Sequence, residues 1–265
     1  MSQVYLKGLK KRWLSGILYP IFIALFVPLI SYMWPVLQDQ ISTFSELLDT
    51  PVYQAILGQL GMIGFGSFEG AIYMYIFSTL EMLMIFVTVF IPVRLISSEV
   101  DENTLDVMLS YPIPRWRFLL EKYSVYLTYN LLYPILILLA TVLSAMGLGE
   151  SINLTTLTYS VIGVWLLLFA LGSLSLLCGA LFLKSKKALP ASGIVIFSQY
   201  ILVRVGGMVS SAEPLKYFSL FNYLNAGTIV SSGTMPIIEL LIVIGVGVMA
   251  LIGALYIFQK RELAF

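Results

Sequence analysis

Glu81 is the residue whose chemistry is hardest to ignore, because it lies about ten residues into a long apolar run, near mid-bilayer if that run is a membrane helix. A carboxylate there must be paired, protonated or put to use. Arg204, toward the outer third of another apolar run, is its only basic candidate partner at similar depth. Two readings stay open: a structural pair or hydrogen-bonded neutral acid, and a substrate-path or gating carboxylate. Other chemistry is excluded by what the chain lacks. It has no histidine, so it carries no Ser-His-Asp or Cys-His triad and no histidine metal ligand. Its one cysteine, Cys178, cannot form an intrachain disulfide or a cysteine zinc site. Met62, Met74, Met208 and Met235 are scattered rather than set at ligand spacing, so no metal site is expected. No catalytic residue is expected either.

A second concentration of polar chemistry runs from residue 98 to 117. Ser98 followed by Asp101 resembles a capping box, which predicts a short helix opening there. Within it Leu105, Met108 and Leu109 make an i, i+3, i+4 apolar face, and Pro112 and Pro114 stop the helix. Glu99, Glu102, Arg115 and Arg117 flank that face with charge. Such a knob docks a soluble partner by the helix-in-groove mode, or it packs on the ends of the neighbouring membrane helices.

At the N-terminus Tyr5, Leu6, Leu9 and Trp13 share one helical arc, and Lys7, Lys10 and Lys11 the opposite one. Residues 1–13 therefore read as an amphipathic helix in the headgroup plane, or as a basic anchor for the span that follows.

The elements that position these groups follow from the solvent. Hydrophobic residues make up 59% of the chain and charged ones 11%, with a mean hydropathy of +0.95, far from the balance of a water-soluble domain. Six runs suffice for a helical crossing of about 20 residues: 14–37, 71–95, 123–146, 158–183, 188–209 and 236–258. They are apolar on every face, which argues against barrel strands. Lysines and arginines gather at Lys7 to Arg12, Arg94 to Lys122, Lys184 to Lys187 and Lys260–Arg261, that is, in alternate loops and both termini. The positive-inside rule then puts both ends in the cytoplasm. Pro20, Pro28 and Pro35 predict a kinked or shortened first span. Residues 210–235 are too apolar for a free loop and too broken for a crossing pair, so they read as re-entrant or interfacial helices. The whole chain, 1–265, reads as one all-α membrane domain. A net charge of +1 without a long basic run suggests no nucleic-acid partner.

The run Glu99-x-x-Glu102-Asn103-Thr104-Leu105-x-x-x-Leu109-Ser110-x-Pro112-Ile113-x-Arg115, then Leu119, Leu120 and Lys122, resembles the loop of ABC-2-type transporter permeases. There the stretch reads approximately E-x-E-x-G-T-L-x-x-L-L-S-x-P-[VI]-x-R, then L-x-x-K. Asn103 stands where the family usually has Gly, and Asn tolerates the left-handed backbone better than most residues. The resemblance extends to the six-span layout, the N-terminal helix, the outer segment before the last span and the tail Gln259-Lys260-Arg261-Glu262. It implies a type V ABC exporter fold in the cell membrane, in which two permeases pair, as copies or homologues. A separate cytoplasmic ATPase, binding ATP and Mg, would dock on the loop helix and the N-terminal helix. Leu105, Met108 and Leu109 would be the knob, with Glu99, Glu102, Thr104, Arg115 and Arg117 around it; Tyr5, Leu9, Lys10, Lys11 and Trp13 would form the second contact. No G-x-x-x-x-G-K-[ST] occurs in this chain, so the nucleotide would be the partner's. Rival readings are a secondary transporter coupled through Glu81, and a non-transporting scaffold that transmits the ATPase's motion.

Overall fold

The computed structural model describes residues 3–36, 68–104, 113–208, 210–224, 229 and 232–261. Among these every regular element is helical. In chain order they are α1 (Gln3–Ser31), α2 (Phe68–Asp101), α3 (Arg115–Asn130), α4 (Leu132–Leu148), α5 (Leu154–Phe182), α6 (Ser185–Met208), a 3-10 helix (Ser210–Phe218), α7 (Leu220–Tyr223) and α8 (Ile237–Lys260). Five helical stretches of the described chain are long and apolar enough to cross a membrane: Val4–Val36, Arg115–Leu148, Leu154–Phe182, Ser185–Gly207 and Ile237–Lys260. α2 covers the second predicted run. Its 34 residues extend about 51 Å, some 20 Å beyond a hydrocarbon core.

Two elements differ from expectation. Residues 3–13 are not a separate helix but the first turns of α1, which runs unbroken to Ser31. No proline stands before Pro20 to break it, and at Gly8 the helix comes close against α3, where an added Cβ would come within 2.9 Å of Val125 Cγ2. The third run is two helices meeting at Leu131. Pro134 has no N–H to bond the carbonyl of Asn130, so the ladder lapses there. Between α6 and α8 the chain forms the 3-10 helix and α7, neither long enough to cross, with Leu220, Phe221 and Leu224 buried and the Leu220 N–H on Gln199 Oε1 at 3.1 Å.

α5 is the central helix, packed by α8, α2, α6 and α4. Lipid gives helices no hydrophobic reason to associate, so small residues and interhelical hydrogen bonds must do it. A Cβ on Gly179 would lie 3.2 Å from the Val93 carbonyl oxygen of α2, and one on Gly247 of α8 only 3.0 Å from Ala170 Cα. Ser175 donates to the Val89 carbonyl at 3.0 Å and shares a hydrogen bond with Ser192 of α6 at 2.8 Å. Tyr123 of α3 donates to the Phe169 carbonyl at 2.9 Å. Asn153 caps α5, its side chain accepting from the amides of Thr155 and Thr156 at 3.0 and 3.3 Å.

Candidate functional site around Glu99

The C-terminus of α2 is closed by a left-handed residue. Asn103 has φ 55°, its N–H bonds the Val100 carbonyl at 3.2 Å, and the Thr104 N–H reaches back to the Glu99 carbonyl at 2.9 Å. This pair of bonds is the Schellman arrangement, which accounts for Asn at a position where Gly is the usual solution. It also corrects the capping-box expectation. Ser98 and Asp101 end α2 rather than begin a new helix, and the Ser98 hydroxyl donates to the Arg94 carbonyl of its own helix at 2.5 Å. The acids thus sit at the negative end of a helix dipole, an unfavourable place that calls for compensation.

For Glu99 the compensation comes from three other chain segments. Its carboxylate accepts from Lys122 Nζ at 2.6 Å and from Thr104 Oγ1 at 2.5 Å, with Lys11 Nζ 4.0 Å away. Lys122 also donates to the Leu95 carbonyl at 3.3 Å. Glu99 is 4% exposed, so its carboxylate faces inward. Burial raises its pKa, but the bonds from Lys122 and Thr104 and the charges of Lys122 and Lys11 outweigh that and hold it below the usual carboxylate value.

The other flank of the loop is equally tied. Pro114 precedes α3 and lends no side-chain cap, but Gln259 Oε1 accepts the Trp116 N–H at 3.0 Å. Arg115 donates to the Arg261 carbonyl at 2.8 Å, and Arg261 itself donates to the carbonyls of Ala180 and Leu181, where α5 ends. Arg117 is exposed and pairs within its helix with Glu121 at 3.1 Å; Glu102 is exposed. Ser97 of α2 and Ser185 of α6 share a hydrogen bond at 2.8 Å. These contacts gather all four basic clusters at one end of the bundle.

On α1, Tyr5 shares a hydrogen bond with Thr128 at 2.9 Å and the Leu9 carbonyl accepts from Tyr129 at 2.8 Å, so these two lie toward α3. Trp13 is 57% exposed and Lys10 and Lys11 are exposed. Arg204 of α6 lies over the Tyr200 ring at 5.0 Å. Leu105, Met108, Leu109 and the side chain of Glu81 lie outside the described residues, as do residues 105–112 in full. Sequence reasoning missed the pairing of Glu99 with Lys122 and the role of Arg261. Both signals were present as unpaired letters: an acid before the loop, a lysine after it and a basic tail.

A family model described as ABC-2 family transporter protein matches residues 8–263. No curated protein and no solved structure matches the chain.

Proposed function

We propose that this chain, which belongs to the ABC-2 family of transporter proteins, is the permease subunit of an ATP-driven exporter, with both termini and the loop 98–117 on the cytoplasmic side and six membrane crossings. One observation supports the coupling role most directly: the loop is anchored on both sides to separate helices. Before it, Thr104 and Glu99 fasten it to α2 and, through Lys122, to α3. After it, Arg115 and Trp116 fasten it to the end of α8, and Arg261 carries that on to α5. A partner that displaces residues 105–112 therefore pulls on four helices at once. The chain would export or extract its substrate when a cytoplasmic ATPase seated on Leu105, Met108 and Leu109 closes around ATP and Mg. Glu102 and Arg117, exposed beside the loop, fit a charged rim for that partner; Glu99 and Arg115 act behind it as fasteners. Trp13, Lys10 and Lys11 leave the outer face of α1 open for lipid headgroups or the same ATPase.

The test is co-purification with a candidate ABC ATPase co-expressed with this chain. Leu105→Asp with Leu109→Asp should abolish the association while the permease stays monodisperse in detergent. Normal binding by the doubly charged loop would defeat the assignment.

A further inference from the structure

We propose that the cavity enclosed by α1, α2 and α3 binds one anionic glycerophospholipid, its phosphate on Arg12 and Arg94 and an ester carbonyl on Asn130. The cavity has a volume of about 330 Å³ and is lined by all three residues, with Tyr19, Phe86 and Phe90 among its walls. Those three rings are 51%, 41% and 44% exposed, so the cavity opens sideways on the surface that lipid covers.

Its two ends differ in chemistry. At the basic end Arg12 and Arg94 both line the cavity, and the Arg12 guanidinium makes one long bond to the Arg94 carbonyl, at 3.5 Å. The nearest buried acid, Glu99, is already held by Lys122 and Thr104. Paired arginines with donors to spare are a recognition surface for phosphate. At the inner end is Asn130, 1% exposed, and neither its amide nitrogen nor its amide oxygen has a hydrogen-bond partner among the described residues. A buried amide without partners is costly, which marks it as a group waiting for a bond from outside the chain. Its NH₂ offers two donors, the complement of an ester carbonyl. Lys122 is level with Leu95, to whose carbonyl it donates, and Asn130 lies eight residues further along α3, about 12 Å deeper. A glycerophospholipid presents its phosphate at the shallow end of that interval, its ester carbonyls within it and its acyl chains to the aromatic walls. The order of groups along the cavity matches the order along the molecule. This site belongs to the chain alone and stands apart from any role of an ATPase.

Native mass spectrometry of the delipidated full chain in detergent tests it, with phosphatidylglycerol, phosphatidylcholine of the same acyl chains, and inorganic phosphate as probes. Phosphatidylglycerol should be retained at a concentration roughly tenfold lower than phosphatidylcholine. Arg12→Gln with Arg94→Gln should erase that preference, and Arg12→Lys with Arg94→Lys should keep part of it. Asn130→Leu should weaken both lipids about threefold or more while leaving the preference intact. Where the double glutamine variant does not fold, Arg94→Gln alone, at an exposed residue, should still shrink the preference. Equal retention of the two lipids by the wild-type chain, or a preference untouched in the glutamine variants, would overturn the proposal. So would displacement by millimolar inorganic phosphate, which would mark a site for free anions.

Discussion

Glu99 and Lys122 form a nearly dry ion pair, their side chains 5% and 12% exposed. Such a pair adds little net stability over an apolar substitute, but removing one partner strands the other charge. Lys122→Met should therefore destabilise the chain by about 3–5 kcal/mol, and Glu99→Gln with Lys122→Met should cost less than the lysine change alone. Thermal unfolding of the variants in one detergent decides this; additive losses would mean the two groups do not act as a pair. The same pair sets a pH dependence. Because Glu99 binds its proton more weakly folded than unfolded, its contribution is fully present above the unfolded carboxylate pKa of about 4.3 and fades as pH falls through the lower folded value. Wild-type stability should drop on acidification across that range by more than that of Glu99→Gln. Parallel curves would remove Glu99 from the account.

At the scale of elements, the end of α2 rests on Asn103 at φ 55°. A β-branched residue resists that conformation, so Asn103→Val should cost about 1–2 kcal/mol, whereas Asn103→Gly should be neutral or slightly stabilising. Hydrogen exchange at the amides of Asn103 and Thr104 would report the fraying locally, and unchanged protection in the valine variant would count against the cap. This turn also shows how far sequence reading reaches. The membrane helices were legible because lipid demands long apolar runs, and the tolerance of Asn103 for a left-handed turn was legible from its type. What was not legible was polarity in the structural sense. Ser98-x-x-Asp101 fits the start of a helix as well as the end of one, and only the continuation of α2 to Asp101 decides between them. Likewise Glu99 and Lys122 are 23 residues apart, and nothing local says that they face each other. Pro134 stands in the third run, but a proline in a membrane helix kinks or breaks it according to its neighbours, so its type alone did not place the break.

For the whole molecule the deciding feature is charge asymmetry along the bundle. At one end Lys11 and Lys122 meet at Glu99, Arg115 meets Arg261, and Ser185, next to Lys184, meets Ser97; at the other Trp34 donates to Glu150 at 3.3 Å while Glu69 accepts the Asn153 N–H at 3.3 Å. The positive-inside rule predicts that a bundle so polarised inserts with its basic end in the cytoplasm, the orientation proposed above. The native Cys178 is buried, and its replacement by Ala leaves a background on which single cysteines report sidedness. Glu102 and Ser151 are both exposed and sit at opposite ends of the bundle. In intact cells a membrane-impermeant maleimide should label Ser151→Cys and should reach Glu102→Cys only after permeabilisation. The reverse pattern would invert the molecule and would leave the loop 98–117 on the wrong side of the membrane for any cytoplasmic ATPase, so orientation and the coupling role stand or fall on the same pair of labels.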